Sequence, residues 1–588
     1  MKQVLATLAA VSAAAVLTFS QPAFSQQAAD ALAPEAATGQ QAKTAVRARE
    51  FMVVAANPLA AEAGLSVLRD GGSAADALVV VQTVLGLVEP QSSGIGGGAF
   101  LVWYDAATGK VTTIDGRETA PMAATPELFI GGDGKPMKFF EAVVGGRSVG
   151  APGVVRLMQK IHERHGKKDW AQLFDPAARM AEAGFTVSPR LAALIDEDAP
   201  LLAAQPSMRA YFFDGSGTPL QQGAALLNPA YAETLRTIGA EGADAFYKGP
   251  IAEAIISAVQ GHPNNPGKLS LKDLANYEAR EREAVCAPYR GLDVCGMGPP
   301  SSGALAIGQI LGILSEFDLE GLGPEDPQSW RLIGDATRLA FADRGRYVAD
   351  RDFVDVPKGL LNPDYLKSRA ALLKRPDALP SEAAKAGDPP WDKAELRLDG
   401  RTLEVPSTSH FVIVDADGNV ASMTSSIENG FGARLMTRGF LLNNQLTDFS
   451  FAPQENGEAV ANRVEPGKRP RSSMSPTIVL RDGKPLFGLG SPGGSNIIPY
   501  VAQSLVGLID WKMDISEAFA MPHYSNRFGR YDLEAGTAAA ELADDLQALG
   551  YEVRTTDMNS GLHGVAFLAD GTLEGGADPR REGVAVGD

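Results

Sequence analysis

The chain has 588 residues, 45% of them hydrophobic, and a formal net charge of −18 at pH 7. This length and apolar content are enough for a large buried core. Because an acidic chain gains nothing from the counterion release that drives binding to nucleic acid, we expect neither a nucleic-acid partner nor an anionic membrane surface.

Residues 1–25 have the composition of a secretory signal peptide. Lys2 supplies a positive charge, residues 4–19 are apolar or small, and residues 23–25 (AFS) offer a cleavage site. The alternative is a membrane anchor, but the apolar run is short for a hydrocarbon layer about 30 Å thick. We therefore expect export to the periplasm or the extracellular space, with release from the membrane. Residues 26–45 are rich in Ala and Gln, and we expect them to be disordered.

The two cysteines, Cys286 and Cys295, are separated by the sequence APYRGLDV. The Tyr-Arg-Gly between short apolar stretches is typical of a β-hairpin, whose two arms come within reach of a disulfide. In an oxidising compartment we expect this bond to form; two buried thiols are the alternative. The sequence has no Cys-x-x-Cys or His-rich pattern, so we expect no metal and no cofactor.

The predicted elements of the first part of the chain are mainly helical. Residues 58–90 predict two helices, separated by a Gly-Gly pair, with Ser73 as the cap of the second. A glycine-rich loop and a hairpin follow over residues 91–114. Residues 150–370 predict further helices, and residues 375–400, rich in Pro, Ala, Asp and Lys, predict a linker.

The pattern changes after the linker. Alternating apolar residues predict two hairpins, over residues 408–426 and 477–489, and a helix that begins near Ser495. The segment 408–588 is therefore predicted to be strand-rich, whereas residues 26–407 are predicted to be helix-rich. We find no internal repeats.

Two glycine-containing motifs resemble known functional motifs, but the residues around them differ from what those motifs require. Residues 94–98 (GIGGG) lack the third spaced glycine of a dinucleotide-binding loop, and no Gly-Lys-Ser/Thr follows them. Residues 146–150 (GRSVG), after an apparent strand, match the G-x-S-x-G pattern that would make Ser148 a nucleophile. A nucleophile elbow passes directly from strand to helix, however, and residues 150–153 (GAPG) intervene. Ser148 is therefore kept as a minor alternative.

Thr408 opens a predicted strand directly after the linker. A threonine hydroxyl is a weak nucleophile unless a base lies next to it. If the chain is cut before Thr408, the freed α-amine, with an ordinary pKa of about 8, can become that base. Taken alone, a threonine at this place is equally compatible with an ordinary strand residue.

Other polar segments supply the remaining groups that amide cleavage needs. Residues 490–495 (GSPGGS) lie between a predicted strand and helix, where backbone N–H groups can converge as an oxyanion hole. Residues 469–476 (RPRSSMSP) offer two adjacent hydroxyls, and residues 443–448 (NNQLTD) offer amides and a carboxylate. Arg117 can bind a carboxylate through two hydrogen bonds. Together these groups suit an amide substrate that carries an α-ammonium and an α-carboxylate at one end.

In order and spacing, these motifs resemble those of the gamma-glutamyltransferase family. The resemblance extends from about Met52 to residues 578–580 (DPR). The segments that carry it are 71–76 (GGSAAD), 115–118 (DGRE), 246–249 (FYKG), 299–303 (PPSSG), 408–410 (TSH), 467–477 (GKRPRSSMSPT) and 490–495 (GSPGGS). Relatives include acylases that act on glutaryl-type amides, so the resemblance leaves two branches open.

The resemblance implies a four-layer α/β/β/α fold of the N-terminal nucleophile hydrolase type. It implies a precursor that cuts itself into a large chain (26–407) and a small chain (408–588). Thr408 would attack a γ-glutamyl amide such as that of glutathione, without a cofactor, and pass the acyl group to water, an amino acid or a peptide. The matched positions give Ser426 beside the nucleophile, Gly493 and Gly494 as the oxyanion hole, Arg117, Ser472 and Ser473 at the α-carboxylate, and Gln445 and Asp448 at the α-amino group.

The sequence departs from the family pattern near the α-amino group. Glu428, followed by Asn429, stands where the family usually has Asn, and Ser426 stands where it usually has Thr. Either Glu428 contacts the ammonium, or it turns away to an arginine such as Arg434 and Asn429 takes the amide role. The segment 448–472, which can hold a lid over the pocket in relatives, is short here. An acylase of the same fold and an exported amino-acid-binding protein are kept as alternatives.

Overall fold

The computed structural model describes residues 41–390 and 407–588. The predicted signal peptide (1–25), most of the predicted disordered segment (26–45) and part of the predicted linker lie outside the described residues. Within the two described ranges, no helix is long and apolar enough to cross a membrane.

The strands in chain order are β1 (Val46–Ala48), β2 (Met52–Ala55), β3 (Gly98–Asp105), β4 (Lys110–Gly116), β5 (Phe185–Thr186), β6 (Ala225–Leu226), β7 (Arg280–Glu283), β8 (Val285–Tyr289), β9 (Leu292–Gly296), β10 (Ser409–Val414), β11 (Val420–Ser426), β12 (Met436–Thr437), β13 (Phe440–Leu441), β14 (Gln454–Glu455), β15 (Glu458–Ala459), β16 (Thr477–Arg481), β17 (Lys484–Gly490), β18 (Tyr524–Ser525), β19 (Arg530–Glu534), β20 (Glu552–Thr556), β21 (His563–Phe567), β22 (Leu573–Ala577) and β23 (Val584–Gly587).

The α-helices are α1 (Pro58–Arg69), α2 (Ala74–Val88), α3 (Phe139–Val143), α4 (Val154–His165), α5 (Asp175–Ala183), α6 (Pro189–Glu197), α7 (Ala199–Ala203), α8 (Pro206–Phe212), α9 (Pro229–Glu241), α10 (Asp244–Tyr247), α11 (Pro250–Gln260), α12 (Leu271–Ala275), α13 (Gly303–Leu314), α14 (Leu319–Leu322), α15 (Pro327–Tyr347), α16 (Pro363–Ala371), α17 (Ile497–Ile509), α18 (Ile515–Ala520) and α19 (Ala543–Ala548). Short 3-10 helices lie at Gly146–Ser148, Trp170–Phe174, Lys358–Leu361, Gln445–Asp448, Gly494–Asn496 and Ala538–Leu542.

Two seven-stranded sheets organise the described part of the chain, in the orders β1-β22-β21-β17-β16-β9-β8 and β23-β2-β10-β11-β3-β4-β7. Each sheet contains strands from before and after residue 408. Strand β10 lies inside the second sheet, paired with β2 on one side and β11 on the other. The two segments therefore share both sheets, although α1 to α16 precede residue 408 and only α17 to α19 follow it.

The two sheets face each other, and helices cover their outer faces. Along β10, Val412 points into the apolar cluster between the sheets, together with Ile478 and Val565. Phe411 and Ile413 point the other way, into the cluster formed with α1, α2 and α4. Residues of β16 and β17 pack similarly against α13, α15 and α17. Because neighbouring strand residues point to opposite faces, this alternation produces the predicted four layers, α/β/β/α.

Local sequence signals explain the elements nearest the site. Ser73 caps α2, as the sequence predicts, and Asp76 completes a capping box with it. In the β10–β11 turn, the Asp415 carboxylate accepts hydrogen bonds from the backbone N–H groups of Asp417 and Asn419, at 3.1 and 2.9 Å. The turn fixes the register of the hairpin, so that Ser409 pairs with Ser425.

The predicted cysteine hairpin is confirmed. Strands β8 and β9 are antiparallel, and Cys286 lies directly opposite Cys295. The two residues form a disulfide in the structure, with Cα atoms 4.0 Å apart. The bond ties two neighbouring strands at the edge of the first sheet.

Candidate active site

Thr408 lies immediately before β10 and is almost completely buried, with 4% of its surface exposed. Its hydroxyl donates to Ser426 Oγ at 3.2 Å, and Ser426 Oγ donates to the carbonyl oxygen of Ser407 at 2.9 Å. The hairpin register explains this contact, because Ser426 ends β11 next to the Ser409–Ser425 pair. One serine hydroxyl thus contacts both the threonine hydroxyl and the carbonyl of the peptide bond before it.

A glycine turn approaches Thr408 from the other sheet. Residues 490–495 join β17 to α17, with φ angles of +139° at Gly493 and +57° at Gly494. A Cβ atom at Gly493 would lie 2.8 Å from the Tyr500 ring, so this turn needs glycine there for both conformation and space. Gly494 lines the pocket together with Thr408, whereas Gly493 is not part of the pocket wall. The backbone N–H groups at this helix start are suited to stabilising a developing oxyanion.

Arg117 follows β4 and is 1% exposed. Its Nη2 atom donates to Asp448 Oδ2 at 2.5 Å and to the carbonyl of Arg471 at 2.9 Å, and its Nε atom donates to the carbonyl of Pro470 at 3.1 Å. The two carbonyls fix the plane of the guanidinium at the pocket wall. Arg117 and Asp448, predicted to bind opposite charges of a substrate, form an ion pair with each other.

The 3-10 helix Gln445–Asp448 carries two of the predicted residues. Gln445 Nε2 donates to Asp448 Oδ2 at 2.8 Å, so this oxygen is shared with Arg117. The Gln445 Oε1 atom is buried and has no hydrogen-bond partner among the described residues. It is therefore available to accept a hydrogen bond from a ligand that enters the pocket.

The two predicted serines lie in a segment held by the large helical part of the chain. Ser472 accepts a hydrogen bond from Ser302 N at 2.8 Å through its carbonyl, and its hydroxyl accepts one from Met474 N at 3.1 Å. The Ser473 hydroxyl accepts from Arg344 Nη2 at 2.8 Å. Arg344 lies on α15, 129 residues earlier in the chain, and no sequence motif pointed to it.

Glu428 lines the pocket. Arg434, named above as an alternative partner for it, forms two hydrogen bonds with the Asp198 carboxylate, at 2.9 and 3.0 Å. Glu428 has a φ of +80°, which is rare for a residue with a side chain, and its carboxylate accepts a hydrogen bond from Asn444. Asn429 lies beside it but does not line the pocket.

One small pocket joins these groups. It brings together nine of the ten predicted catalytic and substrate-binding residues, with Gly493 outside its wall. Met474 and Ile497 add apolar surface, and neither was predicted. The lining residues are Arg117, Thr408, Ser426, Glu428, Gln445, Asp448, Ser472, Ser473, Met474, Gly494 and Ile497.

The segment 448–472, which can hold a lid in relatives, contains a small hairpin. Strands β14 and β15 pair in it, and the Phe451 ring stacks on Phe129 with centroids 4.6 Å apart. Phe449 is buried in a cluster with Leu446 and Val464. The two aromatic residues therefore attach this segment to the helical part of the chain.

The competing nucleophile does not reach the pocket. Ser148 is fully buried in a 3-10 helix, and its hydroxyl donates to the carbonyl of Val143 at 2.6 Å. The strand expected before it is the short helix α3. The glycine loop 94–98 leads into β3, and its Gly96 carbonyl accepts from Asn443 Nδ2 at 2.8 Å. Both motifs are structural, because packing and backbone contacts account for them.

No cluster of three or more His, Cys, Asp or Glu residues suited to a metal ion occurs in residues 41–390 and 407–588.

Two seven-stranded sheets packed between helical layers form the four-layer fold of the N-terminal nucleophile hydrolases. The cephalosporin acylase from Bacillus halodurans has the same fold, with a TM-score of 0.81 and 24% identity over 94% of this chain and 99% of that chain.

Sequence comparison gives the family within this fold. The gamma-glutamyltranspeptidase family model matches residues 60–588. The chain is 36% identical to the glutathione hydrolase proenzyme of Bacillus subtilis (strain 168) over 551 residues, which cover 92% of each chain. It is 35% identical to the acylase ACY 1 proenzyme of Pseudomonas sp. (strain SE83) over 544 residues, 91% of this chain and 93% of the relative. The chain belongs to the gamma-glutamyltranspeptidase family.

Proposed function

We propose that this protein is a precursor that cuts its own chain between Ser407 and Thr408 and then uses Thr408 as the nucleophile against γ-glutamyl amides. The observation that carries the proposal is the pocket, in which the Thr408 hydroxyl lies with Arg117 and Asp448. The γ-amide of a γ-glutamyl group needs a hydroxyl that can attack it. The ammonium and carboxylate on its α-carbon need a pair of opposite charges that can bind them.

In the proposed maturation, Thr408 Oγ1 attacks the carbonyl carbon of Ser407. The C–N bond breaks, the Thr408 nitrogen takes a proton to become an amine, and an ester joins the Ser407 carbonyl to the Thr408 oxygen. Water then hydrolyses the ester, leaving a carboxylate on Ser407 and a free hydroxyl on Thr408. The hydrogen bond from Ser426 to the Ser407 carbonyl, at 2.9 Å, supports this step because it stabilises the oxyanion that the attack creates.

In the proposed catalytic cycle, the freed α-amine of Thr408 accepts the hydroxyl proton while the oxygen attacks the γ-amide carbon. The N–H groups of Gly493 and Gly494 would stabilise the oxyanion. The leaving amine takes the proton, and a γ-glutamyl ester remains on Thr408. Water, an amino acid or a peptide then attacks this ester and restores the threonine. This sequence needs no cofactor.

The charges of the pocket support a donor with an α-ammonium. Arg117 and the two serines Ser472 and Ser473 would hold the α-carboxylate, which displaces Asp448 from Arg117. Asp448, Gln445 and Glu428 would then face the ammonium. A glutaryl group brings the carboxylate without the ammonium, so it displaces Asp448 from Arg117 and offers the two acids no cation in return, which is unfavourable in a buried site.

An acylase of the same fold is the second candidate, favoured by the 35% identity to the acylase ACY 1 proenzyme. Cleavage of glutathione compared with that of a glutaryl amide separates the two candidates. A purified protein that prefers the glutaryl amide would place this chain in the acylase branch. An exported amino-acid-binding protein would cleave neither and would migrate as one chain.

We also propose that the protein is exported and that its two chains stay associated. Residues 1–25 would direct the precursor to the periplasm or beyond the cell, where small γ-glutamyl compounds are its substrates. The large and small chains would stay together after cleavage, because each seven-stranded sheet contains strands of both.

The proposal is tested with a denaturing gel and N-terminal sequencing of the small fragment. We expect wild type to give two chains, the smaller beginning at Thr408. We expect Thr408→Ala to give one uncut chain, with activity reduced by at least about a thousandfold. Ser148→Ala is the matched control, and it should be cut and active. Cleavage of Thr408→Ala at the same bond, or full activity in that variant, would show that the assignment is wrong.

A further inference from the structure

Asn444 lies between Glu428 and the 3-10 helix that carries Gln445 and Asp448, and the family motifs give it no role. It is completely buried. Its Nδ2 atom donates to Glu428 Oε2 and, at 3.0 Å, to Thr447 Oγ1. Its Oδ1 atom accepts a hydrogen bond from the backbone N–H of Asn429 at 3.0 Å.

We propose that Asn444 is a positioning residue that holds the Glu428 carboxylate toward the pocket and thereby sets the preference for donors with an α-ammonium. The inference rests on the proposed function, since it concerns the donor half of that pocket. It adds a residue outside the pocket wall, which acts through Glu428.

The backbone around Glu428 needs such a support. Its φ of +80° is unfavourable for any residue with a Cβ atom and persists only where neighbouring contacts determine it. Asn444 contacts the residues on both sides, because its backbone N–H donates to Ile427 O at 3.1 Å and its Oδ1 accepts from Asn429 N. One asparagine therefore fixes both the backbone and the side chain of Glu428.

Glu428 is also connected to the nucleophile through Ser426. The Glu428 backbone N–H donates to Ser426 Oγ at 2.9 Å, and Ser426 Oγ accepts the hydrogen bond from Thr408. The position of Glu428 relative to Thr408 is thus determined through two short contacts. A donor whose ammonium meets Glu428 would be placed with its γ-amide at the threonine.

The Asn444 amide is a suitable partner for the Glu428 carboxylate, because an N–H that donates to a carboxylate forms a charge-assisted hydrogen bond. Asp448, the other acid of the pocket, shares one oxygen between Arg117 and Gln445. The Glu428 carboxylate accepts its hydrogen bond from Asn444, so removal of the Asn444 amide should change how that carboxylate is oriented.

The test compares a γ-glutamyl and a glutaryl p-nitroanilide in the full-length, self-processed protein. We expect Asn444→Ala to lower the ratio of their kcat/KM values by about three- to fivefold, which is within the range for the loss of one ordinary hydrogen bond. The change should arise mainly from a higher KM for the γ-glutamyl donor. In a Glu428→Gln background, Asn444→Ala should leave the ratio unchanged, because the charge that Asn444 holds is absent.

Two further variants separate positioning from general damage. Asn443 is equally buried, but its side chain contacts backbone groups, those of Gly96, Gly150 and Gln445, and no acid of the pocket, so Asn443→Ala should lower stability and affect both donors equally. Thr447→Val removes the hydroxyl that orients the Asn444 amide, and should shift the donor ratio in the same direction as Asn444→Ala, by a smaller factor.

Thr447→Val, which is close in shape to wild type, provides the answer if Asn444→Ala does not fold. A wild-type donor ratio in the folded Asn444 and Thr447 variants would overturn the inference while leaving the proposed function intact. Additive effects of Asn444→Ala and Glu428→Gln would also overturn it. A wild-type protein that cleaves neither donor would overturn the proposed function and the inference together.

Discussion

The two ends of the pocket are built in different ways. At the nucleophile end, Thr408 and Ser426 lie at the ends of paired strands, and hydroxyl hydrogen bonds of 2.9 to 3.2 Å connect them to the Ser407 carbonyl. At the recognition end, Arg117, Asp448 and Glu428 come from a strand end, a 3-10 helix and a loop, and they are charged.

The difference shows where chemistry and selectivity are encoded. The register of the β10–β11 hairpin determines the geometry of the nucleophile end, so few side-chain identities matter there. At the recognition end, each charge is oriented by a partner from a distant segment, such as the carbonyls of Pro470 and Arg471 for Arg117. Substitutions at the two ends should therefore have different kinetic signatures.

Arg117→Lys should have the largest effect at the recognition end. Lysine keeps the charge but loses the planar fork that contacts two carbonyls and a carboxylate together. We expect kcat/KM for a γ-glutamyl donor to fall about 10- to 100-fold, mainly through KM. Self-cleavage should proceed, because Arg117 has no contact with the Ser407–Thr408 bond in the proposed step. A variant that binds donors normally but stays uncut would reverse this assignment.

Ser426→Ala should affect the nucleophile end instead. The variant loses the hydrogen bonds to Thr408 and to the Ser407 carbonyl, so both self-cleavage and kcat should fall about tenfold. Timed denaturing gels measure cleavage, and steady-state assays measure kcat. Ser426→Thr keeps the hydroxyl and should recover both. A lower affinity for donors with a normal rate of cleavage would place Ser426 at the recognition end.

Glu428→Asn should have a smaller effect, confined to donor choice. Asparagine still accepts a hydrogen bond from an ammonium but carries no charge, so the preference for γ-glutamyl over glutaryl donors should narrow by about fivefold. The measurement is the ratio of kcat/KM for the two donors. Asn429→Ala, at the neighbouring residue outside the pocket wall, is the control and should keep the wild-type ratio. Equal ratios in wild type and Glu428→Asn would make Glu428 a purely structural residue.

Features that depend on near neighbours in the chain could be predicted from the sequence. The hairpins around Thr408 and around the cysteines follow from alternating apolar residues and short turns. The capping box at Ser73 and the glycine turn at Gly493 follow from local rules for caps and positive φ angles. The set of pocket residues came from motif order, since no periodicity brings Arg117 next to Asp448.

Features that depend on distant contacts could not be predicted. Glu428 is the acid nearest to Arg434 in the sequence, and only the fold shows that Arg434 pairs with Asp198, 236 residues away. The contact of Arg344 with Ser473 and that of Asn444 with Glu428 arise in the same way. Side-chain partners across 16 to 236 residues depend on how layers pack, which a single sequence does not encode in its pattern.

Glu118 is a buried acid next to the recognition end of the pocket. It neighbours Arg117 in the chain but lies outside the pocket wall. It is fully buried, and neither carboxylate oxygen has a hydrogen-bond partner among the described residues. Burial, opposed in part by Arg117, raises the pKa of Glu118 from its ordinary value of 4.5 to about 8. Between these pH values the folded protein keeps a proton that the unfolded chain releases. The stability that Glu118 contributes is therefore fully present below pH 4.5 and is lost as the pH rises through about 8.

Glu118→Gln should remove this pH dependence, because the amide stays neutral at every pH. We expect the difference in Tm between about pH 5 and pH 8.5, at one scan rate, to be smaller in the variant than in wild type. Donor selectivity should not change, since Glu118 does not line the pocket. Glu141→Gln, with a side chain 61% exposed, is the control and should keep the wild-type difference. An unchanged difference in Glu118→Gln would mean that Glu118 is ionised in the folded protein, and it would then belong with Asp448 among the charges that face Arg117.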